Sequence, residues 1–206
     1  MMDLFDQAQA RARVRSSALS VEEQDNYLIL VDRFPDATFF ANSPSQLDGF
    51  ARQQKVKLPE WFRLYRTTLA EAYRSENELL IRFDRFSTRL DVGTPSRFDL
   101  SDTWYELSFP GLPRKGQERQ ALLKGSESLK LLPIGLKVGD HDIQLGINLD
   151  DRDTRIYEFS MTSVFSSYAK QEDISIVSFP VFASPGDLLS HIVQIKHDGI
   201  VADPVE

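Results

Sequence analysis

From Ile143 to Leu149 the chain reads Ile-Gln-Leu-Gly-Ile-Asn-Leu, with every second residue apolar. Successive side chains of a strand point to opposite faces, so this period of two describes a β-strand with one apolar face and is incompatible with a helix. Asp150-Asp151-Arg152-Asp153 follows as a polar turn, after which Arg155-Ile156-Tyr157-Glu158-Phe159 is placed to pair back antiparallel. Ile143, Leu145, Ile147 and Leu149 are therefore expected to line the core face of a central antiparallel strand, with the polar residues on the other face.

The remaining elements are arranged around this hairpin. Residues 1–42 are read as an N-terminal extension. Its first 18 residues are a loosely held, weakly amphipathic segment through Leu4, Phe5 and Ala8, in which Arg11, Arg13 and Arg15 interrupt any helical face. The apolar run Tyr27-Leu28-Ile29-Leu30-Val31 has strand length, and Thr38-Phe39-Phe40 is expected to return beside it as a hairpin. Ser43-Pro44-Ser45-Gln46 combines a hydroxyl cap, a proline at the first helical position and a glutamine at the capping-box position, which predicts a helix near 44–55. Leu58-Pro59-Glu60 starts a second helix whose buried stripe is Phe62, Tyr65, Leu69 and Tyr73, with Arg63, Arg66 and Glu71 mostly on the wet side. Further strands are expected at Leu79–Phe83, Trp104–Phe109, Leu129–Ile134 and Ile174–Phe179, with a turn-rich loop at about 91–117. A last helix is expected from Ser184-Pro185-Gly186-Asp187 through Leu188, Leu189, Ile192 and Ile195, stopping at Gly199. This order predicts an α+β fold: an antiparallel or mixed sheet with helices packed mainly on one face. Residues 1–42 and the α+β region 43–206 are expected to form one structural domain.

Charge divides unevenly along the chain. Residues 1–136 carry 19 basic and 19 acidic side chains, whereas residues 137–206 carry 5 and 12, so the last third holds the entire net charge of −7. A phosphate backbone needs a basic stripe, so this surface is not expected to bind nucleic acid; it suits a basic protein partner. The absence of cysteine excludes disulfides, thiolate nucleophiles and cysteine-based zinc sites, and fits a cytoplasmic protein. Acidic Asp3 and Asp6 near the N-terminus do not suit a signal peptide, and no apolar run is long enough to span a bilayer.

The ordered motifs resemble the SUKH superfamily, the Smi/Knr-like proteins. The resemblance runs over about 43–196 and rests on five features: the first capped helix; Lys57-Leu58-Pro59-Glu60-Trp61-Phe62; Leu132-Pro133-Ile134-Gly135; Gly139-Asp140-His141-Asp142-Ile143 followed by Arg155-Ile156-Tyr157-Glu158-Phe159; and the terminal helix. The chain departs from the family pattern after its second helix, where Ser75-Glu76-Asn77-Glu78 keeps the asparagine but lacks the two glycines that commonly follow it. The resemblance implies a binding fold, usually non-catalytic, which in bacterial toxin-immunity systems often neutralises a toxin domain by occlusion.

Asp140, Asp142, Asp150, Asp151, Asp153, Glu172 and Asp173 form an acidic group that ordinarily would be a solvated surface, but their concentration makes them the candidate partner-binding residues. A carboxylate-based metal-dependent hydrolase is the first alternative. However, His141 points away from Asp140 and Asp142 on a strand, and Asn148–Asp153 lacks the glycine and distal glutamate of a calcium loop. His191 and His197, near the end of the last helix, fit helix-end or half-buried roles better than catalysis. Trp61, Phe62, Tyr65, Trp104 and Tyr105 fit core positions better than an interface. No nucleophile elbow, P-loop or dinucleotide fingerprint is present. The expected function is therefore non-catalytic, with no cofactor and no metal: binding of a protein partner, a basic toxin domain such as a nuclease. A regulatory or scaffold module without a toxin is the second alternative. Calorimetry with zinc, manganese or calcium is expected to show no tight binding at the 140–153 hairpin. Tight binding that is lost in Asp140→Asn and Asp142→Asn would establish the hydrolase reading instead.

Overall fold

A computed structural model describes residues 3–32, 35, 37–73, 79–82, 105–106, 112–113, 116–137, 140–187 and 190. In chain order the elements are β1 (Asp3–Phe5), α1 (Gln7–Ser16), α2 (Val21–Asp32), β2 (Thr38–Ala41), α3 (Pro44–Gln54), α4 (Glu60–Thr68), β3 (Glu71–Tyr73), β4 (Leu79–Arg82), β5 (Tyr105–Glu106), α5 (Gln117–Lys124), β6 (Leu131–Lys137), β7 (Asp140–Asn148), β8 (Ile156–Ser160), α6 (Met161–Ala169), a 3-10 turn (Ile174–Val177) and β9 (Ser178–Phe182). The fold is α+β. Its strands form two antiparallel sheets, one in the order β1-β2-β3-β4 and the other a meander in the order β5-β6-β7-β8-β9.

The β7–β8 hairpin lies inside the second sheet, as its alternation requires. Ile143 pairs with Ser160, Leu145 with Glu158 and Ile147 with Ile156. Leu145, Ile147 and Ile156 are all but inaccessible, while Ile143, where the pairing with β8 begins, and Leu149, just past β7, are half-buried. Each such side chain contributes about 1.5–3 kcal/mol when fully withdrawn from water. The polar residues do lie on the opposite face of β7, which is half-buried at Asp142 and Gln144 and closed at its far end. Gly146 lies beneath the ring of Phe159, and Asn148 is 2% exposed.

The first forty residues differ most from the sequence reading. Tyr27–Val31 lies in α2 and is not a strand, so the expected hairpin with Thr38–Phe40 does not form. An apolar run of this length is equally compatible with a buried helix turn. The deciding signal lies upstream at Ser20-Val21-Glu22-Glu23: the Glu23 carboxylate accepts from the N–H and hydroxyl of Ser20 at 2.9 and 2.8 Å, and Ser20 Oγ accepts from the Glu23 N–H. Nor is the N-terminal segment loosely held. β1 pairs with β2, and α1, capped by Asp6, buries Ala10 and Val14 completely. Two of the three arginines that interrupt its amphipathic pattern have partners elsewhere, and Arg15 is exposed. Arg11 pairs with Asp32 at 3.1 Å, and Arg13 Nε donates to the Thr67 and Thr68 carbonyls at the end of α4, where a helix presents unsatisfied acceptors.

The capped start at Ser43 forms as read, with a reciprocal capping box to Gln46 and Pro44 in the first turn. The next helix is shorter than its stripe implied. It ends at Thr68, where the Thr67 and Thr68 hydroxyls donate back to the carbonyls of Arg63 and Leu64. Leu69 is extended, Tyr73 belongs to β3, and Arg66 is buried instead of wet. Ile174–Val177 is a 3-10 turn and the strand begins only at Ser178, because Asp173 caps Ser175 and the Ser178 hydroxyl donates to the Ile174 carbonyl. The expected strands at 79, 104 and 129 appear as β4, β5 and β6; residues 83, 104 and 107–109 lie outside the described residues. At the last helix, Ser184 Oγ accepts from the Asp187 N–H at 3.0 Å and residues 185–187 are helical, whereas Leu188, Leu189, Ile192, Ile195 and Gly199 lie outside the described residues.

Two glycines test this packing with opposite signs. A Cβ on Gly146 would meet Phe159 Cε1 at 2.7 Å and the Leu132 carbonyl at 3.1 Å, whereas one on Gly49, inside α3, would meet nothing within 4 Å. Urea unfolding is expected to show Gly146→Ala losing about 1–3 kcal/mol through overpacking. Gly49→Ala is expected to gain about 0.5–1 kcal/mol through helix propensity.

Candidate functional site

The acidic group does not gather at one point. Because β7 and β8 run antiparallel, Asp142 stands at one end of the hairpin, beside Ser160, while Asp150, Asp151 and Asp153 occupy the turn at the other. With about 3.4 Å per strand residue, the two ends lie roughly 20 Å apart. Glu172 and Asp173 follow α6. Asp140 begins β7 and His141 follows it; His191 and His197 lie outside the described residues. Among the described residues, no group of three or more histidine, aspartate or glutamate side chains is placed to hold a metal ion.

At the turn, Asn148 organises the geometry. Its Oδ1 accepts from the N–H groups of Lys130 and Asp150 at 3.1 and 3.2 Å, and its Nδ2 donates to the Ser128 carbonyl at 2.9 Å and to Asp153 at 3.1 Å. Asp153 in turn accepts from the Arg155 guanidinium at 2.8 and 3.1 Å, from the Arg155 N–H at 3.2 Å and from the Tyr157 hydroxyl at 2.6 Å. Partial burial pushes the Asp153 carboxyl up, but these donors together outweigh it and hold its pKa well below the usual carboxylate range. The same network raises the Tyr157 hydroxyl, through burial first and then its bond to Asp153.

Asp151 reaches outward from this turn to a distant element. Helix α4 begins after Pro59, which offers no side-chain cap; Asp151 supplies one by accepting from the Glu60 N–H at 2.6 Å. Its other oxygen accepts from Lys57 Nζ at 2.8 Å, and these bonds, that of Lys57 foremost, lower its pKa. The Lys57 side chain is largely exposed, so the ion pair itself adds little. Asp142 does the same at the far end of the hairpin. It accepts from the Ser160 hydroxyl and from the Thr162 N–H and hydroxyl at 2.8 and 2.7 Å, alongside the Ser160 cap of α6. Desolvation works against its ionisation, yet these bonds lower its pKa. Asp173 caps the 3-10 turn, and the Ser175 N–H leads the bonds that lower its pKa.

The acidic residues are therefore of two kinds. Asp142, Asp151, Asp153 and Asp173 close helix starts and turns. Asp150 is exposed and, among the described residues, its side chain accepts only within its own turn, from the Arg152 N–H at 3.0 Å, and Glu172 is exposed as well. A reversal of Asp150, Asp151 and Asp153 together would break the turn and uncap α4.

A second polar cluster was not visible in the sequence reading because its members are far apart in the chain. Glu23 on α2 accepts from the Tyr65 hydroxyl on α4; the rings of Tyr27 and Tyr65 stand 6.2 Å apart, and buried Arg66 lies nearby. Burial raises both tyrosine pKa values far above neutrality, with the Glu23 bond adding at Tyr65. Both hydroxyls therefore stay protonated, which suits them to fixing α2 against α4 and not to general base chemistry. Trp61 and Phe62 pack edge to face on the core side of α4, in agreement with their reading as core.

Asp153 carries a pH signature. A carboxyl whose pKa is depressed by folding adds stability that is complete above its unfolded value, near 4, and is lost as pH falls below that value. Acid titration of stability is expected to show this loss in the wild-type chain and a flatter profile in Asp153→Asn. At neutral pH that variant is expected to lose about 1–3 kcal/mol, because Tyr157 and Asn148 lose their charged acceptor. Comparison with protein-family models, curated proteins and solved structures finds no match.

Proposed function

We propose that this chain is a non-catalytic partner-binding protein of the SUKH-like immunity type, acting in the bacterial cytoplasm to occlude a basic toxin domain, with a nuclease as the chemistry that fits best. The observation that carries this reading is the charge division: residues 137–206 hold the whole net charge of −7. Fixed acids at caps and turns keep their charge at neutral pH and so contribute to a lasting negative field, which speeds encounter with a basic domain and competes with nucleic acid for its groove. Among the described residues, no helix is long and apolar enough to cross a membrane.

The carboxylate hydrolase reading finds less support, since Asp142, Asp151 and Asp153 already engage both oxygens with protein donors. A regulatory or scaffold module would use the same surface and differ only in the identity of its partner. The discriminating variant is Asp150→Lys with Glu172→Lys, which spares every cap. In biolayer interferometry against a basic nuclease toxin domain that the wild-type chain binds, it is expected to slow association about tenfold at low salt, flatten the salt dependence and leave the unfolding temperature unchanged. An unchanged association rate at low salt would overturn the electrostatic reading.

A further inference from the structure

Among the described residues, the last strand of the second sheet, β9, is an edge: β8 lies on one side of it and no strand on the other. Edges of this kind normally carry charges that discourage further pairing. This one carries none, since the chain has no charged side chain from Ile174 to Gly186. Two of its large apolar side chains face water, Phe179 at 60% and Val181 at 41% exposure, and Ile176 in the 3-10 turn just before it is 59% exposed.

The register shows which backbone groups face outward. Tyr157 pairs with Pro180, Glu158 with Phe179 and Phe159 with Ser178. Pro180 has no N–H to give to β8, so the mutually bonded pair in this ladder is Glu158 with Phe179. The N–H and C=O of Ser178 and the C=O of Pro180 then point away from the sheet. Pro180 shortens this edge without closing it.

Glu158 stands directly across from Phe179, and opposed residues of antiparallel strands share a face. Its carboxylate is half-buried, which pushes its pKa up, and among the described residues it forms no salt bridge. A strand added beside β9 would lie about 4.8 Å beyond it, within reach of Glu158 for a lysine or arginine side chain laid over the Phe179 ring. A second copy of this chain fits poorly. It would bring another Glu158 and another seven net negative charges to the same edge.

We propose that β9 is a docking edge for an extended segment of a basic partner protein, with apolar residues over Phe179 and Val181 and a lysine or arginine at Glu158. The proposal rests on the partner-binding reading and names the contact that would hold such a partner once the acidic field has drawn it in.

The test uses the full isotope-labelled chain and two probe peptides, a blocked heptapeptide alternating lysine with valine and its counterpart alternating glutamate with valine, at about 150 mM salt so that loose surface attraction is screened. The lysine peptide is expected to shift the amide resonances of 176–182 and of Glu158, and the glutamate peptide to leave them in place. Phe179→Lys, with its fold verified by circular dichroism, is expected to weaken the lysine peptide at least about tenfold. Glu158→Gln is expected to narrow its advantage over a threonine-valine peptide. Shifts confined to residues around Asp150 and Glu172, equal binding of both peptides, or concentration-dependent self-association through β9 in their absence would each overturn the proposal. Loss of the Asp150 and Glu172 effect on association, with the β9 shifts retained, would instead remove the electrostatic reading and leave this edge standing.

Discussion

A buried carboxamide fixes the geometry of this molecule. Asn148 uses both of its side-chain polar atoms to join the start of β6, the end of β7 and the turn beyond it. An amide withdrawn from water and fully paired is stringent in a way an apolar contact is not, since each bond left unmade costs about 1–3 kcal/mol. It therefore admits one turn conformation, and that conformation aims Asp151 at the start of α4 and turns Asp153 inward toward Arg155 and Tyr157. The meander of the second sheet and the helical layer built from the first half of the chain are aligned through this small polar centre.

Carboxylates at both ends of the hairpin do similar work. Asp142 stabilises the first turn of α6 and Asp151 that of α4, two helices whose own sequences offer modest starts, one rich in serine and threonine and the other following a proline. Negative charge at a helix start interacts favourably with the exposed N–H groups and with the helix dipole. Much of the charge asymmetry thus has an architectural origin, and the field it projects comes with the fold. Binding energy in such an arrangement is expected from neighbouring apolar surface, while charge governs approach.

How much of this was legible in the sequence follows from the range of each interaction. The β7–β8 hairpin and the capped start at Ser43 were readable because their determinants lie within a few residues: an alternation of two, a polar turn, and a serine three positions ahead of a glutamine. Tyr27–Val31 was misread because a continuous apolar run specifies burial and not period, although Ser20 and Glu23 marked the helix start locally. Helix α5 went unread despite strong helix formers at Gln117–Lys124, and α6 because Met161–Ala169 is made largely of weak ones and depends on Asp142 from another strand. The acidic residues, read as one concentrated group, stand instead at the two ends of the hairpin and after α6. Their division into capping and exposed members was invisible, since the partners of Asp151 and Asp142 lie far away along the chain.

β2 is flanked on both sides, by β1 from the chain start and by β3 from beyond α4. The segment that sequence alone marks as an appendage is thus the inner part of a sheet, and its buried side chains, from Ala10 to Phe39, belong to the same continuous cluster as Leu132 and Phe159. A shortened polypeptide starting at Ser43 would strip β3 of its neighbour and open that cluster to water. A piece able to fold as this one does must therefore retain the strand at Asp3–Phe5, and a truncation boundary drawn at Ser43 would cut through the core.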